Sequence, residues 1–178
     1  AGLISQVFPD ARFVHVLRHP CDAVLSCFTH EFRLNTAMSS FLDLKNAAQC
    51  YDKMMSLWAT YQEALPLKVH TVKYEQLVAD LKGTVGQLLE FLELDPDDAM
   101  ADLKSAALDR KHIGTPGHHQ IERSIFTEAK DRWRSYRAHM IPVLPTLLRW
   151  AATYGYIDGG SKPASPEEPA EPDQLQGA

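Results

Sequence analysis

FPDARFVHVLRHPCDAVLSCF, residues Phe8 to Phe28, runs from strand to cation to helix with no residue to spare. Arg12 to Leu17 reads as a short β-strand, because Phe13, Val14, Val16 and Leu17 are apolar or β-branched and Phe8-Pro9-Asp10 forms a turn leading in. Arg18-His19-Pro20 ends that strand. Pro20 suits a first helical position, where its missing N–H would have had no partner. Asp22 then falls in the first helical turn, where a carboxylate suits the positive end of the helix dipole. Ser26 lies four residues further along, on the same helix face. A strand with Arg18 at its C-terminal tip and a helix starting at once is the arrangement at which open α/β sheets bind anions. Two readings of the pair stand at this point. Arg18 and Ser26 hold a phosphate together, or Arg18 pairs with Asp22 and Ser26 is an ordinary helix serine.

The rest of the chain sets the limits around this stretch. Its 178 residues suffice for one domain with a real core, and 45% hydrophobic with 23% charged residues is a globular composition. A net charge of −5 argues against a general nucleic-acid binder but leaves room for a local basic pocket. Cys21, Cys27 and Cys50 are odd in number and form no CxxC pair, which points to reduced thiols in a cytosolic setting. Cys27 and Cys50 are expected in the core. No apolar run approaches the ~20 residues that a membrane span needs, and no signal peptide precedes Phe8. The first strand follows Ala1-Gly2 almost immediately, so the expectation is the C-terminal part of a larger protein.

Downstream, His30 to Ser40 loses periodicity and reads as a loop, with Ser39 or Ser40 capping the next helix. In Phe41 to Leu65 a stripe of Leu44, Ala47, Ala48, Tyr51, Met54, Met55, Trp58, Tyr61 and Leu65 recurs at helical spacing and is expected to face the core. Pro66 ends it. Lys68 to Tyr74 alternates as a second strand, parallel to the first across a helical crossover, and Tyr74-Glu75-Gln76-Leu77 closes it. His70 is expected to be structural. Thr84 to Leu92 is a short amphipathic helix, and Leu94 to Asp98 marks a stop and restart. Asp109 to Ser124 is a Gly- and His-containing loop; His112, His118 and His119 have no Cys or carboxylate at ligand spacing, which disfavours a metal site. Glu128 to Tyr154 reads as helix broken at Pro142 and Pro145, with Trp133, Tyr136, Met140, Leu144, Leu147, Leu148, Trp150 and Ala151 as core contacts. After Asp158, GGSKPASPEEPAEPDQLQGA has no apolar cluster to offset ordering entropy.

The opening stretch resembles the 3′-phosphate-binding segment of sulfotransferases that use 3′-phosphoadenosine 5′-phosphosulfate (PAPS). The closest likeness is to the bacterial tetratricopeptide-linked sulfotransferases and the tyrosylprotein sulfotransferases. The resemblance runs from about Phe8 to Tyr156 and matches the later part of that domain. It implies an α/β, P-loop-like fold, with few parallel strands packed by helices. Residues 1–157 would be a partial sulfotransferase domain lacking the N-terminal phosphosulfate loop, and 158–178 a disordered Pro/Glu-rich tail. The implied reaction moves a sulfuryl group from PAPS to a hydroxyl acceptor, protein tyrosine among the options, and leaves adenosine 3′,5′-bisphosphate. Arg18 and Ser26 fall on the positions that hold the 3′-phosphate. Tyr74 falls near the adenine, although an aromatic plugging the sheet edge fits it equally well. Thr127, Lys130 and Arg132 are candidates for a loop closing over the nucleotide. Glu75 is implied to be structural, and no catalytic residue is assigned, since the family's proton acceptor precedes this segment.

The resemblance also implies a bacterial cytoplasmic protein with tetratricopeptide repeats upstream, and neither nucleic acid nor membrane as partner. The segment alone is then expected to transfer no sulfate. Departures from the pattern are Gly114 for Arg, Ser124 for Pro, and Glu128-Ala129-Lys130-Asp131 for a small-residue stretch. A carboxylate near a phosphate pocket is repelled unless it points away, and Lys130 would offset it. Two other readings remain: a degenerate, non-catalytic interaction domain, and another P-loop-type nucleotide enzyme.

Overall fold

Arg12–Leu17 and Lys68–Lys73 form the two strands, β1 and β2, of the computed structural model, which describes residues 1–33, 35–96 and 130–156. They pair in parallel, with Arg12 opposite Lys68 and Leu17 opposite Lys73, as the sequence predicts. A parallel pair needs a crossover. Helix α2 (Pro20–Thr29) and helix α3 (Leu44–Ala64) supply it, with a 3₁₀ turn at Met38–Leu42 between them. A short helix α1 (Gly2–Val7), absent from the sequence reading, precedes β1. Helices α4 (Tyr74–Ala79) and α5 (Leu81–Leu92) follow β2. Beyond them come a 3₁₀ turn at Arg132–Tyr136, helix α6 (Arg137–Met140) and helix α7 (Leu144–Thr153).

The sheet has a helix against each face. His15 of β1 packs on Trp58 of α3, with ring centroids 4.8 Å apart, and His70 of β2 stacks on Phe91 of α5 at 5.2 Å, the structural role expected of it. Val16 stays 65% exposed although its partner Val72 is buried, so the cover over that face stops short of β1. The core cluster gathers around α2. Cys21, Val24 and Leu25 of α2 meet Ala47 and Ala48 of α3, and Trp133, Met140, Val143, Leu144 and Leu147 close over them. Small alanines on α3 allow the close helix approach that this packing uses. Asp52 of α3 accepts the Trp150 indole N–H at 2.7 Å and pairs with Arg149, fastening α7 to the same helix.

Several boundaries differ from the sequence reading, each for a local reason. Neither Ser39 nor Ser40 caps α3. The cap is Asp43, whose carboxylate accepts the Asn46 N–H at 2.8 Å, because the chain turns as 3₁₀ helix first and becomes extended at Asp43. Tyr74-Glu75-Gln76-Leu77 does not close β2 but opens α4: the ladder ends at Lys73, and Glu75 sits in the first turn, where the dipole favours it. Helix α5 starts at Leu81 rather than Thr84, capped by Asp80 through the Gly83 N–H at 2.9 Å. Pro145 does not break a helix; it stands in the first turn of α7, where no N–H is required. Cys27 and Cys50 are half-buried, and the fully buried thiol is Cys21. The restart expected after Pro96, the His-containing loop, Gly114, Ser124, Glu128 and the acidic tail lie outside the described residues.

Candidate functional site

Leu17 and Lys73 are register partners at the C-terminal ends of adjacent parallel strands, so the residues that follow them emerge side by side. These are Arg18 and Tyr74. The Arg18 guanidinium carbon stands 5.3 Å from the centre of the Tyr74 ring, within cation–π range. Burial raises the Tyr74 hydroxyl above the usual tyrosine range and Arg18 opposes that shift. The guanidinium also acts electrostatically on the Cys27 thiol, whose proton affinity is raised mainly by burial. Ser26 precedes Cys27 in α2 and is half-buried.

The start of α2 is held from three directions. His19 is its N-cap: Nδ1 accepts the Cys21 N–H at 3.3 Å, which leaves the ring proton on Nε2 in the neutral form. The His19 ring stacks on Trp133 with planes 10° apart and meets Tyr156 edge-on. The His19 backbone N–H donates to Glu75 Oε1 at 2.8 Å, and Oε2 of the same carboxylate accepts the Tyr156 hydroxyl at 2.9 Å. Glu75 thus joins the tip of β1, the start of α4 and the end of the described chain. Both of its oxygens are occupied by structural partners.

Asp22 lies in the first turn of α2, as the sequence predicts, and has a further role there. It is buried, and its carboxylate accepts two distant backbone donors, the N–H of Asp131 and that of Trp133, each at 2.9 Å. Burial holds its pKa above the ordinary carboxylate range; the two N–H donors and the charge of Arg18 work against that rise. The segment carrying Lys130 and Arg132 is thereby fixed against the start of α2. Both of those side chains are exposed, Arg132 lying over the Tyr136 ring at 5.8 Å. Thr127 lies outside the described residues. Sequence reasoning did not find the long-range role of Asp22, nor His19 or Tyr156 as partners of Glu75. Only the presence of an acid in the first turn of α2 marked the first of these, and a dipole explained it without a tertiary partner.

A planar cation beside an aromatic ring, at the C-terminal edge of a parallel sheet and at a helix start, is equipped to bind an anion with an attached ring. Among the described residues no cluster of three His, Cys, Asp or Glu side chains could hold a metal ion, and no helix is long and apolar enough to cross a membrane.

Residues 1–98, more than half the chain, match the model of the Sulfotransferase family, and the chain belongs to that family. The matched part includes both strands, Arg18 at the tip of β1 and the helices that carry Ser26 and Tyr74, and the α/β fold is that of a P-loop-like sulfotransferase. An uncharacterized protein of Aquifex aeolicus (strain VF5) is 22% identical over 147 residues. That alignment covers 82% of this chain but 19% of the relative, so the chain spans only a small part of the length of the curated protein it matches.

Proposed function

We propose that this chain carries the 3′-phosphate-binding half of a PAPS-dependent sulfotransferase site, within a protein of the tetratricopeptide-linked or tyrosylprotein branch that acts on a hydroxyl acceptor. The observation that carries the proposal is the placement of Arg18 and Tyr74 together at the sheet edge, at the head of α2, inside the family-matched residues. The donor set fits such a nucleotide. Arg18 offers a planar fork for a phosphate, Ser26 a hydroxyl on the following helix, and Tyr74 a ring against which adenine can pack. Lys130 and Arg132, on the segment held by Asp22, would add positive charge at the same end. PAPS when bound supplies the activated sulfuryl group. The residues of this chain fix and orient the nucleotide end and so aim the group; in-line displacement of this kind depends on positioning and charge stabilisation. Glu75 is no candidate base, since its oxygens are engaged by His19 and Tyr156. Transfer itself, the acceptor and a bacterial cytoplasmic setting are proposed for the whole protein.

Titration calorimetry with adenosine 3′,5′-bisphosphate tests the reading. Two charge-assisted contacts at about 1.5–3 kcal/mol each, less ordering costs, give affinity near the millimolar range, about 4 kcal/mol. Arg18→Ala should abolish the binding heat. Binding unchanged by Arg18→Ala would remove the site assignment, and no binding at all would favour a degenerate, non-catalytic domain.

A further inference from the structure

We infer that Asp22 is a positioning residue whose carboxylate clamps the Lys130–Trp133 segment onto the start of α2, setting the two basic side chains of that segment at the edge where Arg18 stands. The inference rests on the nucleotide-binding reading for its purpose, but its geometry stands alone. Asp22 is 1% exposed. A buried carboxylate is costly unless its oxygens are satisfied, and an apolar residue of similar size would serve packing better. Here the two oxygens go to alternate amides of one remote segment, Oδ2 to Asp131 and Oδ1 to Trp133.

The receiving backbone is shaped to meet them. Asp131 adopts a left-handed conformation, φ 59° and ψ 14°, uncommon for a residue with a side chain. Its own carboxylate accepts from Arg134 Nε at 3.1 Å, holding the turn in place. Trp133 then enters the core completely and stacks on His19, the residue next to Arg18. In sequence Asp22 lies four residues from Arg18 and four from Ser26. One helical turn therefore carries the clamp between the two groups proposed to hold phosphate.

The experiment compares wild type with Asp22→Asn, in which one acceptor oxygen becomes an NH₂ facing a backbone donor. Amide hydrogen exchange at Asp131 and Trp133, without nucleotide, should accelerate about tenfold or more, the equivalent of one hydrogen bond to a charged group. Exchange at Val16 and Val72 in the sheet should not change. With adenosine 3′,5′-bisphosphate as probe, Asp22→Asn should weaken binding in the wild-type background and have no effect in Lys130→Ala/Arg132→Ala. Unchanged exchange at both amides overturns the clamp, as does equal acceleration in the sheet, which would mean general loosening. An equal affinity loss in both backgrounds overturns the positioning role. If wild type binds no bisphosphate, the nucleotide reading and the positioning role both fail, while the exchange comparison still decides the clamp. Should Asp22→Asn fail to fold, protection in wild type decides: Asp131 and Trp133 amides exchanging as fast as free peptide would overturn it.

Discussion

His15 illustrates how a single side chain in this fold carries a pH dependence away from the candidate site. Its ring packs on Trp58 at 4.8 Å and meets Tyr154 edge-on at 6.0 Å. Burial among these rings depresses its pKa below the ordinary histidine value of 6.5, because the charged form loses hydration there. The unfolded chain consequently takes up a proton at His15 before the folded protein does. Stability from this group is complete above pH 6.5 and is lost as the pH falls from there through the folded value. Replacing His15 by Leu removes the titration, so thermal melts at pH 7.5 and 5.5 should show a smaller acid-induced drop for His15→Leu than for wild type. Equal drops would mean that His15 does not contribute to the acid sensitivity. Glu75 teaches a related lesson at the same scale: a carboxylate beside a candidate site invites assignment as a base, but its partners place it in the framework.

At the scale of elements, what was legible followed from local chemistry, and what was missed needed a partner far along the chain. β1, α2 and β2 were readable because apolar alternation, Pro20 and the parallel crossover all act within a few residues or follow a general rule. The start of α4 at Tyr74 was not, since the ladder ends only where Leu17 runs out of strand to pair with Lys73. Arg18 as the candidate cation was visible from its place at a strand tip, whereas its proximity to Tyr74 depends on the strand register. Helix α5 offers an element-scale test through its two glycines. A Cβ on Gly86 would meet nothing within 4 Å, so Gly86→Ala should stabilise by about 1 kcal/mol, the usual helix-propensity gain. A Cβ on Gly83 would lie 2.1 Å from Oδ2 of Asp80, the residue capping that helix. Gly83→Ala must displace the cap, whose loss costs about 1 kcal/mol, so the two effects should nearly cancel. Urea denaturation of both variants measures the difference, and equal stabilisation would show that the Asp80 cap contributes little.

For the whole molecule, the apolar stripes were legible as helices but not as a map of the core. Periodicity marks which residues share a helix face; which of them are covered depends on what packs against that face. Leu147 and Met54 show this. The stripes place both in the core, on α7 and α3 respectively, yet Leu147 is fully buried beside Trp133 and Met140, whereas Met54 is 58% exposed. The 130–156 region runs along α3 as far as Asp52, which meets Arg149 and Trp150, and Met55, whose sulfur accepts from the Tyr154 hydroxyl, so Met54 lies beside that cover rather than beyond it. Tyr136, also expected inside, is 39% exposed: it sits at the end of a 3₁₀ turn whose buried residue is Trp133. The packing thus predicts unequal costs for truncating two residues that look alike in sequence. Leu147→Ala removes buried atoms and leaves a cavity, a loss of about 3–5 kcal/mol, against a total stability of about 5–15 kcal/mol for a domain of this kind. Met54→Ala removes atoms already in water and should change stability by no more than about 0.5 kcal/mol. Chemical denaturation of the two variants gives both numbers. Similar losses would mean that Met54 is covered in solution.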